Sequence, residues 1–466
     1  MNNLLKYNPI LATDSYKMSH AFAYPDDVTG MFSYIEARTG GKDIIVPFGL
    51  QMFLKKYFTI PITVEDIDEA ELFTKMHGEP FNRAKWEYIL TEYNGFFPIT
   101  IKSVPEGLPV RSGHAIVTIE CNDPEVFWLS SYLETMIQRA IWYPTSICSM
   151  DYAIKQDIKQ YYERTGADML MLPFTLNDFG ARGVTCHEQA EIGGAAHLVN
   201  FMGSDNMEGI RAVNFYYTHD MAGFSEKASE HSVECSFGKE PEQELEYLRH
   251  MLSLGKPGEI VSIVIDGYDV YRAAETLCTT MKDEIIASGV KVVFRPDSGD
   301  MMITVPRLLD LQAATFGYDI NEKGYKKIKY VGIIQGDGVD GNAIRSLLGK
   351  MAVLGYASDN VVFGSGGALL QKVNRDTYKF AQKASAVRRN GEWIGCAKDP
   401  ITDPGKKSKE GRVTLVRSKI TGEMMTLTTN DDNINDEFEN VMVVVYDHGK
   451  LFNETTLAEI RARCAI

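Results

Sequence analysis

Between residues 165 and 375, short apolar runs recur, each ending in polar and glycine residues and each followed by helix-like spacing. The runs lie near Leu170–Leu176, His197–Phe201, Ala222–Ser225, Ile260–Ile265, Lys291–Phe294, Tyr330–Ile334 and Asn360–Phe363. Runs rich in Val and Ile with no polar alternation are the mark of strands buried on both faces, as in parallel sheets. Strands alternating with helices imply right-handed crossovers. The clearest runs end in NDFGARG, DGYD, RPDSGD, QGDGVD and GSGG. An α/β barrel carries its chemistry at just these strand C-terminal ends. Seven runs rather than eight predict an irregular α/β barrel over 165–375, with a doubly wound open sheet as the alternative.

The flanks follow a different pattern. Residues 1–164 mix strand-like alternation (IVPFGLQMF, PITIKSVPEGLPV, HAIVTIEC) with helical spacing over Asp66–Met76 and Asn82–Tyr93. Residues 376–466 alternate again (GRVTLVRS, MTLTT, NVMVVVYDHGK) and end in a helix near Thr456–Arg463. The two flanks are expected to form one α+β domain from both chain ends.

Composition narrows the class. At 466 residues with 44% hydrophobic and 24% charged positions, the chain is too long for one ordinary core and reads as globular. No stretch approaches the ~18 apolar residues of a membrane helix, and the N-terminus lacks the apolar core of a signal peptide. Seven scattered cysteines with no CxxC pair argue against a zinc site or disulfide framework, so a cytoplasmic setting is expected. Cys186 and Cys235 read as small buried residues. A net charge of −15 disfavours non-specific nucleic-acid binding. From Lys372 to Arg412, however, eleven Lys or Arg face five Asp or Glu. Such an island is either a solvated run or a site for a small, highly charged anion.

Candidate chemistry collects at the predicted strand ends. Gly336-Asp337-Gly338, Gly364-Ser365-Gly366-Gly367 and Asp297-Ser298-Gly299 can bring backbone N–H groups close to a phosphate, or can simply be tight turns. Asp178, Asp266, Asp269, Asp297 and Asp337 can hold ribose hydroxyls or a pyrophosphate-bound Mg²⁺, or can cap helices, Asp266 above all. Arg182 and Arg295 offer bidentate geometry to phosphate. Phe179 can stack on a flat ring or serve as a core aromatic. His231 can shuttle a proton or accept a phosphoryl group, or be structural; His187 and His197 read as structural.

Nine segments stand in the order found in the nicotinamide phosphoribosyltransferases: ATDSYK, DFGARG, HLVNFMGSD, SEHS, DGYD, RPDSG, QGDGVD, FGSGG and KDPITDPGKKSKEGR. The chain resembles that family, of the type II phosphoribosyltransferase fold, from about residue 8 to 465. The resemblance implies formation of nicotinamide mononucleotide and pyrophosphate from nicotinamide and phosphoribosyl pyrophosphate, in NAD salvage. It also implies a homodimer with shared active sites, use of Mg²⁺, and stimulation by ATP.

By the same resemblance, Phe179 and the partner's Tyr16 sandwich the nicotinamide ring. Asp205 accepts from its carboxamide, with Arg182 alongside. Arg295 binds pyrophosphate together with Arg38, Arg375 and Lys383 reaching across from the partner. Asp297 contacts the ribose hydroxyls, and Asp269 lies near the ribose and its magnesium, with the metal ligands themselves unassigned. Gly336, Asp337, Gly366 and Gly367 cradle the 5′-phosphate. His231 is the residue phosphorylated by ATP, and Lys398 and Lys406 sit near that nucleotide. Nicotinate phosphoribosyltransferases, the nearest alternative, usually carry two basic residues after DFG, whereas here Arg182 is followed by Gly183. A non-catalytic binding or signalling relative is the remaining alternative. Two positions depart from the family pattern: Ala181 stands where many relatives have Tyr, and Ile265 where they commonly have Ser lining a tunnel behind the ring.

Overall fold

A computed structural model describes residues 5–402, 406–428 and 436–465. Residues 403–405 of the KDPITDPGKKSKEGR segment and Thr429 of the MTLTT run lie outside them. The chain divides into two compact units. One holds residues 1–149, 216–218 and 373–466; the other holds 150–215 and 219–372.

The second unit is built on seven parallel strands: Leu176–Asp178, Gly203–Ser204, Lys227–Ala228, Ile260–Val264, Lys291–Arg295, Val331–Gln335 and Val361–Ser365. Each pairs in parallel with a neighbour in chain order except between the third and second, and the last pairs with the first, Phe363 opposite Leu176 and Ser365 opposite Asp178. A single parallel bridge, Gly203 to Phe224, brings the chain before the third strand beside the second. The sheet is therefore curled and irregular, with seven strands as the pattern predicts. Most of its Val, Ile and Phe side chains are buried on both faces, Ile260 at a strand start being exposed, which explains the absence of alternation in the sequence.

Three of the predicted runs are not strands where expected. Ala222–Ser225 holds only the bridge at Phe224, and the strand follows it at Lys227–Ala228. His197–Phe201 falls largely in the helix His187–Asn200. His197 is fully buried there, with Asp151 Oδ2 at 2.7 Å from Nδ1 and Gly203 O at 3.0 Å from Nε2, so it is structural. Leu170–Leu176 is mostly a 3-10 turn, Met169–Phe174, opened by Asp168 accepting from Leu170 N–H. Apolar content alone cannot separate a short buried helix from a strand.

The first unit contains a seven-stranded antiparallel sheet. In spatial order its strands are Glu392–Gly395, Phe380–Arg389, Val28–Ala37, Ala115–Cys121, Thr100–Ser103, Val443–Asp447 and Lys450–Leu451. Both chain ends thus enter one sheet. Helix Val64–His77 begins with a capping box in which Thr63 and Asp66 satisfy each other's N–H groups. Helix Leu457–Cys464 begins likewise at Thr456 and Glu459. No helix among the described residues is long and apolar enough to cross a membrane.

Glu106 is buried in this unit. Its Oε1 accepts from Gln51 N–H at 2.9 Å, while Oε2 has no hydrogen-bond partner among the described residues. Burial pushes its carboxyl up to about 7. The folded state therefore holds a proton that the unfolded state releases near pH 4.5. This contribution to stability is full below pH 4.5 and is lost as pH rises through 7, a swing of about 1 to 3 kcal/mol. Replacing Glu106 with Gln should remove it. The melting temperature of Glu106→Gln minus that of the wild type is expected to increase from pH 5 to pH 8, and a pH-independent difference would contradict the assignment.

Candidate active site

The parallel register brings the strand C-terminal ends to one rim. Residues that follow them in sequence are Phe179, Asp205, His231, Asp266, Asp297, Gly336 and Gly366. Sequence positions up to 187 residues apart, Phe179 and Gly366, are thereby collected by the strand pairing alone.

At the first end, Asp178 is buried: Oδ1 accepts from Gly180 N–H at 2.7 Å and Oδ2 from Asn206 at 3.0 Å. Asp178 is thus an internal brace that shapes the DFG turn, not a ligand-facing group. Phe179 N–H donates to Ser365 O at 3.0 Å, tying the first rim loop to the last strand. The Phe179 ring is half-buried, and the Arg295 guanidinium carbon lies 5.6 Å from its centre. A side chain at Gly364 would overlap that ring, so the ring lies directly on the strand backbone. Phe179 is therefore a rim aromatic with one face toward a cation, not a core residue.

Arg295 Nη2 pairs with Asp297 Oδ2 at 2.7 Å, and Nη1 donates to Ser229 O at 3.3 Å. Arg295 Nε and Asp297 Oδ1 are buried without a hydrogen-bond partner among the described residues. Buried polar atoms of that kind are costly unless a ligand or water satisfies them. One donor and one acceptor side by side suit a polyol bearing phosphate. Gly336 lies against Asp297 so closely that a Cβ there would overlap Oδ1. A Cβ at Gly367 would meet no protein atom within 4 Å, so the backbone there can be approached from outside.

Asp205 is exposed and accepts from Ser225 Oγ at 2.6 Å. Burial, and then Asp205, pushes the carboxyl of neighbouring Glu226 up. Ser225 and Glu226 also line a cavity of about 680 Å³ with Phe174, Asn177, Val293 and Val362. Neither residue was singled out by the sequence pattern, because the chain there reads as a weak apolar run. Arg182 is exposed in a 3-10 turn, Ala181–Gly183, and Asp337 is exposed after its strand.

His231 is 48% exposed and opens the helix His231–Phe237; its Nε2 lies 3.1 Å from Asp266 Oδ1, whose side chain is 3% exposed. Asp266 is thus the partner of a histidine and not a helix cap. The cap is Asp269, whose Oδ1 accepts from Tyr271 and Arg272 N–H at 3.0 and 3.2 Å. Cys186 and Cys235 are exposed, against the reading of both as buried. Cys186 precedes the helix His187–Asn200 at its N-cap position without a side-chain cap bond, and Cys235 lies on the short helix of His231.

Four predicted cations gather in the other unit. Strand pairing sets Ala37 opposite Phe380 and Tyr34 opposite Lys383, and both the N–H and Nε of Arg38 donate to Lys379 O at 3.3 Å. Burial pushes the Lys383 ammonium below the usual lysine range, and Arg38, Lys398 and Arg375 push it further, against the opposing pull of Glu134. Mutual repulsion among four cations is a cost that a bound polyanion removes. Lys398 is fixed by reciprocal bonds with Ser408: its N–H donates to Ser408 Oγ at 2.8 Å and its carbonyl accepts from Ser408 N–H at 2.9 Å. Lys406 is exposed. Tyr16 is 54% exposed, its ring 5.1 Å from that of His20.

No group of three or more candidate His, Cys, Asp or Glu metal ligands occurs among the described residues. A Mg²⁺ brought in on phosphate oxygens and water needs no such cage.

Residues 174–450 match the nicotinate phosphoribosyltransferase (NAPRTase) family, and residues 8–101 match the N-terminal domain of nicotinamide phosphoribosyltransferase. A nicotinamide phosphoribosyltransferase of Xanthomonas campestris pv. campestris is 45% identical over 98% of this chain and 97% of its own length. One from Acinetobacter baylyi is 31% identical over 99% and 97%. Among solved structures, nicotinate-nucleotide pyrophosphorylase of Pyrococcus furiosus superposes with a TM-score of 0.63 at 14% identity, covering 100% of this chain and 97% of that one. Human nicotinic acid phosphoribosyltransferase superposes with a TM-score of 0.57 at 15% identity, covering 98% and 93%. At such identities the superpositions establish the fold alone.

If the cation cluster binds pyrophosphate, Lys383→Met should weaken binding of inorganic pyrophosphate about tenfold at low ionic strength, with a smaller effect in high salt. Titration calorimetry at two salt concentrations measures this, and unchanged affinity at low salt would remove Lys383 from the site.

Proposed function

The chain belongs to the nicotinate phosphoribosyltransferase family and is a phosphoribosyl-transferring enzyme, and from that premise we propose that it joins nicotinamide to phosphoribosyl pyrophosphate, yielding nicotinamide mononucleotide and pyrophosphate in NAD salvage. The observation that carries the choice of amide over acid is the packing of Gly183. A Cβ at Gly183 would lie 2.9 Å from Gly367 Cα, so the position where nicotinate enzymes usually carry a basic residue has no room for a side chain. Asp205 with Glu226 beside it supports the same reading. Carboxyl groups there accept from an amide N–H₂ and repel a carboxylate.

In this reading Phe179 and Tyr16 hold the ring flat, and Asp205 orients its carboxamide. Asp297 and Arg295 hold the ribose and its pyrophosphate, and Gly336, Asp337, Gly366 and Gly367 face the 5′-phosphate. Transfer at the anomeric carbon passes through a cationic ribose, so the chain's task is to position a weak pyridine nucleophile and stabilise the leaving pyrophosphate. Mg²⁺ supplies charge neutralisation of pyrophosphate when bound. The donor set fits a metal held chiefly by the substrate's own oxygens, with Asp269 and Asp297 at hand. The enzyme acts as a cytoplasmic homodimer: Tyr16, Arg38, Arg375 and Lys383 of one copy complete the rim of the other, consistent with the exposure of Tyr16 and the mutual repulsion of the cations.

Assay with each base at saturating phosphoribosyl pyrophosphate decides the substrate. Nicotinamide should be preferred by a factor of about 100 or more in kcat/KM. Asp205→Asn should lower kcat/KM for nicotinamide about tenfold or more while affecting nicotinate less. A preference for nicotinate overturns the reading, and no turnover of either base revives a non-catalytic role.

ATP stimulation is proposed to run through phosphorylation of His231, with Lys398 and Lys406 serving the nucleotide. Nε2–H donates to the Asp266 carboxylate, which leaves Nδ1 as the nucleophile. His231→Ala should abolish the increase in transfer rate on adding ATP, and full stimulation in that variant rules the phosphohistidine out.

A further inference from the structure

Glu234 stands three residues after His231, one turn along the same short helix. It is 1% exposed, and its two oxygens lie 3.2 and 3.1 Å from the N–H of Gly267, which donates to the pair. A side chain at Gly267 would overlap the carboxyl, so glycine is what allows the acid to sit on the peptide. Gly267 follows Asp266, the partner of His231, in the loop Asp266–Asp269. That loop is held at three points. Asp269 caps the helix Val270–Cys278, Asp266 meets His231 Nε2 at 3.1 Å, and Glu234 holds the Gly267 peptide between them. Two of the three tethers come from a single turn of helix.

A buried acid is a poor way to stabilise a fold, because its desolvation outweighs one or two backbone bonds. Here burial, together with Asp266, pushes Glu234 up to about 7. Glu244, Tyr247 and Tyr268 also face it, and Glu244 is in turn paired with Arg272 at 3.0 Å. An apolar residue would fill the space at less cost but would leave the Gly267 N–H unpaired and the loop free to tilt.

We propose that Glu234 is a positioning residue for His231. By fixing the Gly267 peptide it fixes the Asp266 carboxylate, which holds the imidazole with Nε2–H toward Asp266 and Nδ1 bare on the opposite edge. This rests on the reading of His231 as the phosphoryl acceptor. Attack by the bare Nδ1 lone pair on the γ-phosphorus of ATP forms the N–P bond as the bond to the bridging oxygen breaks, and ADP leaves with that electron pair. Nε2 keeps its proton throughout, so the phosphorylated ring carries a positive charge that the Asp266 carboxylate balances.

The test compares wild-type enzyme with Glu234→Ala, Glu234→Asp and Glu234→Gln. Nitrogen-15 shifts of labelled histidine report the His231 tautomer. Radiolabelled ATP reports the rate of phosphohistidine formation, and the ratio of ATP-supported to ATP-free transfer reports coupling. Glu234→Ala should mix the tautomers and lower phosphohistidine formation about 10- to 100-fold, as expected for a misplaced reacting group. Glu234→Asp, one methylene short of Gly267, should resemble it. Glu234→Gln keeps an acceptor oxygen at full reach and should restore most of both. Should Glu234→Ala not fold, the contrast between Asp and Gln decides the matter. An unchanged tautomer in the Ala and Asp variants, or an equal fall in Gln and Asp, overturns the proposal. A wild-type enzyme that forms no phosphohistidine instead overturns the reading of His231, and the tautomer comparison still decides whether Glu234 orients the ring.

Discussion

The pairing of the last barrel strand with the first is the constraint on which the rest of the site depends. Phe363 opposite Leu176 and Ser365 opposite Asp178 bring together segments almost 190 residues apart. That contact sets Phe179 against Ser365 O, Gly183 against Gly367 and the Phe179 ring across Gly364. Without it the aromatic loop and the glycine loop would be separate turns. Because all the strands run parallel, each further strand adds its C-terminal residues to the same rim. The sheet is least regular where its strands are shortest, at Gly203–Ser204 and Lys227–Ala228, and there it is joined by one bridge, Gly203 to Phe224.

The strands with the longest apolar runs were legible from the chain itself. Ile260–Val264, Lys291–Arg295, Val331–Gln335 and Val361–Ser365 match the expected runs within a residue or two. Short strands were not, since two or three residues carry too little pattern. Two neighbouring long strands of the antiparallel sheet were also missed. Val28–Ala37 is buried at nearly every position and so shows no alternation, and Phe380–Arg389 lies in the basic island, where charge hides its apolar face. At the site, residue type pointed to Arg295, Asp297 and His231, but the roles depended on contacts. Asp266 is not the helix cap it reads as, since the helix begins at Val270 and Asp269 caps it. Glu234 left a faint signal, an acid at i+3 from a histidine, which is commonplace on any exposed helix; its burial is what gives it meaning.

Charge is divided in the molecule by task. The cations Arg38, Arg375, Lys383 and Lys398 belong to the unit built from both chain ends. The carboxyls Asp205, Glu226, Glu234, Asp266 and Asp297 belong to the barrel unit, where Arg295 is drawn into a pair with Asp297. Such a division resolves the conflict between a net charge of −15 and a substrate bearing phosphates.

The acid-lined rim then has a consequence for the reaction itself. A cationic, oxocarbenium-like ribose is favoured by nearby fixed carboxylates, and the benefit grows where water is scarce and the groups are held in advance. The same carboxylates disfavour a negatively charged base. In the proposed reaction, stabilisation of the transition state and rejection of nicotinate are therefore two results of one field, to which Asp205 contributes directly. A basic side chain at position 183 would weaken both at once. The close approach of Gly183 to the Gly367 backbone excludes it on steric grounds, so the electrostatic character of the rim is fixed by packing.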